Sequence, residues 1–176
     1  MPIVADQKFG ESSKPLKAID VTWIIVAYEI AYLFGPFFVL PMINTFGRKK
    51  TVLIAISIDI AGSACFALLD LFTSEKSAEF LVCAITLRVL IGCSAALMMT
   101  PTGALLIEAA KKDDLESING IYMACLGAGL ILGPVIYAWF FSVVGFQLTM
   151  MIQATQLLVT GVVFYAFVHE SPPEEN

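Results

Sequence analysis

Charge is what this sequence has least of. Only 14% of its 176 residues are Asp, Glu, Lys or Arg, where soluble domains carry about a quarter. The net charge is -5, so no basic face is available to neutralise phosphates, which argues against nucleic-acid binding. Histidine occurs once, at His169 after the last apolar run. A single imidazole supplies neither a catalytic triad nor a metal cluster. The four cysteines, Cys65, Cys83, Cys93 and Cys125, lie in or beside apolar runs. Their spacing fits no zinc or CxxC pattern, so they read as small buried packing residues. No disulfide, metal or cofactor is expected. Residues 1–20 are polar, with Lys8, Lys14 and Lys17 among Asp6, Glu11 and Asp20. They do not read as a signal peptide, and a transit peptide would be poor in acids.

What the chain has is apolar. Hydrophobic residues make up 59%, with 13 Phe, and the mean hydropathy is +0.85. A membrane-spanning helix needs about 20 mostly apolar residues. Five segments meet this, at 21–43, 51–72, 80–106, 120–144 and 146–168. They lack the period-two alternation of a barrel strand, and helices satisfy their own backbone groups in lipid. The expected fold is an all-α membrane protein with a polar N-terminal segment (1–20), a five-helix bundle (21–168) and an acidic tail (169–176). It is not expected to be an enzyme. Arg48, Lys49, Lys50, Lys111 and Lys112 fall on the side of the C-terminus, and Lys8, Lys14, Lys17 and Lys76 on the other. Because the first three adjoin a helix end, the C-terminal side is expected to be cytoplasmic, or the matrix in a mitochondrial membrane.

Three charges fall inside the spans: Glu29, Asp59 and Arg88. Each costs about 2.5–3.5 kcal/mol near the bilayer centre and so needs a reason. Counted along their helices, Glu29 and Arg88 both lie about 12 Å from the same face and can meet if their helices are neighbours. Asp59 lies about 20 Å from that face, slightly beyond the midplane. Two readings stand. One is a proton- or cation-handling network in which Glu29 or Asp59 alternates between Arg88 and a proton or amine. The other is a fixed ion pair that orients the helices.

Small residues follow Arg88 at helical spacing (Gly92, Ala95, Ala96), giving a face that can approach another helix closely. The fourth segment carries Gly120, Gly127, Gly129, Gly133 and Pro134, and Gly129 with Gly133 forms a GxxxG pair, usually a sign of tight packing.

Taken in order, these residues resemble the major facilitator superfamily. Arg88-Val-Leu-Ile-Gly92-Cys-Ser-Ala95-Ala96 is similar to the family's helix-four motif RxxQGxGAA, with Ile91 at the Gln position. Gly120, Gly129, Gly133 and Pro134 are similar to the helix-five antiporter motif, with Tyr137 and Ala138 in place of its final Gly-Gly. Asn44-Thr-Phe-Gly47-Arg48-Lys49 is similar to the end of the motif between helices two and three, with Asn44 for the usual Asp and Thr45 for the usual Arg. The resemblance covers 21–168, and the stretch 126–134 looks most like vesicular amine and polyamine proton antiporters. It implies that Arg88 serves proton coupling. It also implies that Gly120, Gly129, Gly133 and Pro134 shape a helix-five bend, and that Gly47, Arg48 and Lys49 form a gating hinge in which Asn44 lacks the usual carboxylate.

Family members have twelve helices in two six-helix halves. The five segments correspond to helices two to six of the first half, and polar residues fill the helix-one position, where amine transporters carry a substrate carboxylate. The resemblance thus implies a transporter-derived, incomplete half-bundle. Its family activity is proton-coupled antiport of small organic cations. It is expected to sit in the lipid bilayer and to act with other membrane subunits or a complementary half. The alternatives are a non-transporting structural subunit of a membrane complex, such as a respiratory or ATP-synthase assembly, and a truncated transporter fragment.

Overall fold

The computed structural model describes residues 18–72, 77–110 and 114–168. The N-terminal lysines, Lys76, Lys111, Lys112 and the acidic tail from His169 lie outside the described residues. Five helices follow one another: α1 (Ala18–Phe34), α2 (Pro36–Phe46), α3 (Arg48–Phe72), α4 (Ser77–Ala109) and α5 (Leu115–Phe167). No strand occurs among the described residues.

The first expected span is broken in two. α1 and α2 meet at Gly35 with a bend of 51°, because Pro36 has no N–H to donate and its ring crowds the preceding turn. The last two expected spans appear as one continuous helix of 53 residues, about 80 Å at 1.5 Å per residue and far too long for one crossing. Gly145, at φ 81° and ψ 176°, interrupts it. Tyr137 and Gln156, 19 residues apart, share a hydrogen bond of 2.8 Å, whereas a straight helix would hold them nearly 30 Å apart. The chain therefore doubles back at Gly145, and 115–144 and 146–167 are two antiparallel arms. With the bent pair counted as one, the bundle has five membrane-crossing elements, as expected from the sequence.

Gly47 makes the same turn at the opposite face, with φ 83° and ψ 165°. In both places the threonine four residues on donates its hydroxyl to the glycine carbonyl: Thr51 to Gly47 at 2.7 Å and Thr149 to Gly145 at 2.6 Å. Both threonines are buried. This backbone region is open in practice only to glycine, and other residues cost about 1–3 kcal/mol there. Gly145→Ala is therefore expected to destabilise the bundle by about that amount, although a Cβ at Gly145 meets no atom within 4 Å. Gly133→Ala, equally unobstructed but inside a helix, should be neutral or stabilising. Unfolding both variants in detergent checks the contrast.

α4 is the hub, packed on α3 and on α1 and touching α2 and α5, while α5 packs chiefly on α3. Two apolar clusters hold the ends. Ile24, Phe66, Leu69, Phe80 and Ala84 gather toward the Gly145 face with Phe146 against them; Val39, Ala55 and Leu97 gather toward the Gly47 face. The second arm of α5 contacts α3, with Gly161 against Ile56. The first arm stands largely clear of the bundle: Ile131, Leu132 and Val135 are all exposed, as suits side chains facing hydrocarbon.

Two expectations are corrected here. The glycines Gly120, Gly127, Gly129 and Gly133 approach nothing within 4 Å, so the GxxxG pair is not a packing seam among the described residues. Cys65, Cys83 and Cys125 are exposed rather than buried in protein, and only Cys93 is half-buried. Lipid is apolar enough to accept both glycine faces and thiols, so hydropathy cannot distinguish lipid contact from protein contact.

Candidate functional site

The helix-four residues build the close seam that the sequence predicts. Gly92 lies against α1: a Cβ there would sit 2.5 Å from the Tyr28 carbonyl oxygen and 2.9 Å from the Ala31 Cβ. Gly35 meets Ala96 one turn on. Tyr28, Ala31 and Gly35 recur at i, i+3 and i+7, one stripe of α1. Glu29 is one residue, about 100°, around from that stripe. It is exposed, and among the described residues no ion pair joins it to Arg88, although their helices touch.

Arg88 lies instead near Asp59 of α3. Each feels the other's charge, yet no hydrogen bond or ion pair among the described residues reaches either side chain. Asp59 is 8% exposed. Its Oδ1 and the Arg88 Nε are buried without a hydrogen-bond partner. The guanidinium rests over the Phe66 ring, 5.1 Å from its centre, a cation–π contact that substitutes for hydration. Two opposite charges thus sit within the bundle, in electrostatic reach of one another but unjoined.

Beside them is a groove of about 540 Å³ lined by Tyr28, Glu29, Tyr32, Met98, Met99 and Tyr122, with Ala95 and Thr102 also from α4. Tyr28 and Tyr32 are stacked, with ring centres 6.4 Å apart, and the Tyr32 hydroxyl donates to the Met99 sulfur at 2.8 Å. Tyr28 belongs to both places: it lines the groove and feels the charges of Asp59, Glu29 and Arg88 together. Sequence reasoning missed the tyrosines because a Tyr in an apolar run carries no positional signal. Among the described residues no three His, Cys, Asp or Glu side chains gather at one point to hold a metal.

At the Gly47 face Arg48 and Lys49 are engaged inside the chain. Arg48 pairs with Glu108 at the end of α4. Lys49 donates to the Tyr165 carbonyl at 2.9 Å and lies 4.8 Å over the Tyr165 ring, so a cation meets the C-terminal carbonyls of α5, where the helix dipole favours it. Asn44 is exposed; a carboxylate for Arg48 comes from α4. Pro134 is exposed on the open arm of α5.

Beside this arrangement of a half-buried arginine on a small-residue seam, a glycine-basic turn and a glycine-rich fourth crossing stands a match to a known family. Residues 1–176 match the Major Facilitator Superfamily. The chain belongs to this superfamily. No curated protein and no solved structure is similar enough to count as a match. As a major facilitator chain it is an integral membrane protein of transporter type, and its five crossings form an all-α half-bundle in contact with the bilayer.

Proposed function

We propose that this major facilitator chain is a proton-coupled antiport unit for a small organic cation, acting within a larger membrane assembly. The observation that carries the reading is the unjoined pair of the buried Asp59 and the half-buried Arg88 beside the groove. A carboxylate and a guanidinium left unbonded in a low-dielectric interior invite a third species, and the smallest is a proton. With a proton on Asp59, Arg88 stays on Phe66. When the proton leaves, the guanidinium turns toward the carboxylate. The groove supplies what an organic cation needs: the Glu29 carboxylate for its charge and the faces of Tyr28, Tyr32 and Tyr122 for its alkyl or aromatic body. Tyr28, touching both places, makes occupancy of one felt at the other.

Alternating access needs two bundles rocking about a midplane site, and the described residues form one. The second is assigned to a partner subunit or complementary half. Arg48, Lys49 and Lys50 support a cytoplasmic or matrix side for the Gly47 face, where α5 also ends.

Two measurements test this together. Purified in mild detergent, the native protein should elute well above its own 19.1 kDa. Vesicles holding that assembly should take up a labelled polyamine or monoamine only when their lumen is acidic. A free monomer on sizing overturns the assembly. Uptake that ignores the proton gradient overturns the coupling. An intact assembly with no uptake favours the structural-subunit alternative.

A further inference from the structure

We propose that Cys65 and Cys83 together form a dithiol site for a neutral, lipid-soluble thiophile, trivalent arsenic compounds being the chemical class that fits. Cys65 lies on α3 and Cys83 on α4, and both line one groove of about 360 Å³. Both are exposed. Cys65 is seven residues before the end of α3 and Cys83 six after the start of α4, so each lies about 10 Å inside the same face. The rest of the lining is Leu68, Leu69, Val82, Thr86 and Leu87, and the Thr86 hydroxyl is already given to the Val82 carbonyl at 2.9 Å. The thiols are therefore the two uncommitted reactive groups in an apolar crevice that opens to lipid.

The setting selects the ligand by charge. Two thiolates on zinc leave two coordination positions unfilled, and two thiolates on a monovalent copper ion leave a net negative charge facing hydrocarbon, which is costly. A trivalent organoarsenic oxide avoids both problems. With phenylarsine oxide, two S–H bonds and the arsenic–oxygen double bond break and two arsenic–sulfur bonds form. Both protons leave with the oxygen as water, arsenic stays trivalent, and reactants and products are all uncharged. No oxidant or reductant is needed. The product ties α3 to α4, and its phenyl group lies in the leucine and valine crevice.

The test is independent of any transport assay. The reduced full chain in detergent is treated with phenylarsine oxide, washed with excess monothiol and weighed intact. One phenylarsenic unit per chain is expected to survive the wash and to be removed by a dithiol. Cys65→Ser and Cys83→Ser should each lose the wash-resistant adduct, while the Cys93→Ser/Cys125→Ser variant should keep it. Where a serine variant fails to elute as folded protein, Cys65→Ala or Cys83→Ala gives the same reading. A wash-resistant adduct that persists in either single variant, or a wild-type adduct stripped by the monothiol, overturns the site.

Discussion

A leucine at Gly92 is expected to force α1 off α4 and to abolish the folded, monodisperse species on size exclusion. The first added carbon would already fall within 2.5 Å of the Tyr28 carbonyl oxygen and 2.9 Å of the Ala31 Cβ. One of these is backbone and the other a methyl with no rotamer to escape into, so neither can yield locally. Overpacking a well-filled interior costs about 1–3 kcal/mol per site and occasionally more. Here the whole α1 backbone must move, and α1 has no other extensive partner among the described helices. Gly92→Ala should show a smaller loss of the same kind. Leucine at Gly129, which meets nothing within 4 Å, should leave elution and thermal stability unchanged. If Gly92→Leu behaves like Gly129→Leu, the α1–α4 seam is not as described.

The second large effect concerns Asp59 and Arg88. Replacing Arg88 with Leu leaves a buried carboxylate without its neighbouring cation; replacing Asp59 with Leu leaves the cation. Breaking a buried pair in this way costs about 3–5 kcal/mol, while exchanging both members for apolar residues is often neutral. The double variant Asp59→Leu/Arg88→Leu is therefore expected to recover most of the stability that each single variant loses, as measured by unfolding in detergent. Recovered stability without recovered proton-driven uptake marks the pair as functional. Double-variant losses that simply add would mean that the two charges do not interact, and the proposed coupling would lose its basis. Full uptake in the stable double variant would confine the pair to orienting helices.

The comparison of sequence with structure turns on where physics leaves a trace in residue order. The five crossings were legible because hydrocarbon imposes one demand, about 20 apolar residues in a row, and the chain meets it five times. The Gly92 and Ala96 seam was legible because close helix approach admits only small side chains, whereas Ala95 turned out to line the groove. The same rule misread Gly129 and Gly133, since small residues permit contact without compelling it. Depth along a helix placed Glu29 and Arg88 level, but the azimuth, set by which stripe of α1 meets Gly92, turned Glu29 to the groove. The bend at Gly35 was signalled by Pro36, which a hydropathy count passes over. The tyrosines of the groove were not legible at all, because their role depends on three helices meeting.

The Lys49–Tyr165 clasp has a consequence for how the protein is made. Its two members are 116 residues apart, so nearly all of the bundle must leave the ribosome and enter the bilayer before the first basic turn finds its partner. Until then α3 lies in the membrane with its α5-facing side open to lipid and to whatever else is being inserted. Arrival of the second arm of α5, rather than the order of the earlier helices, closes this face of the bundle.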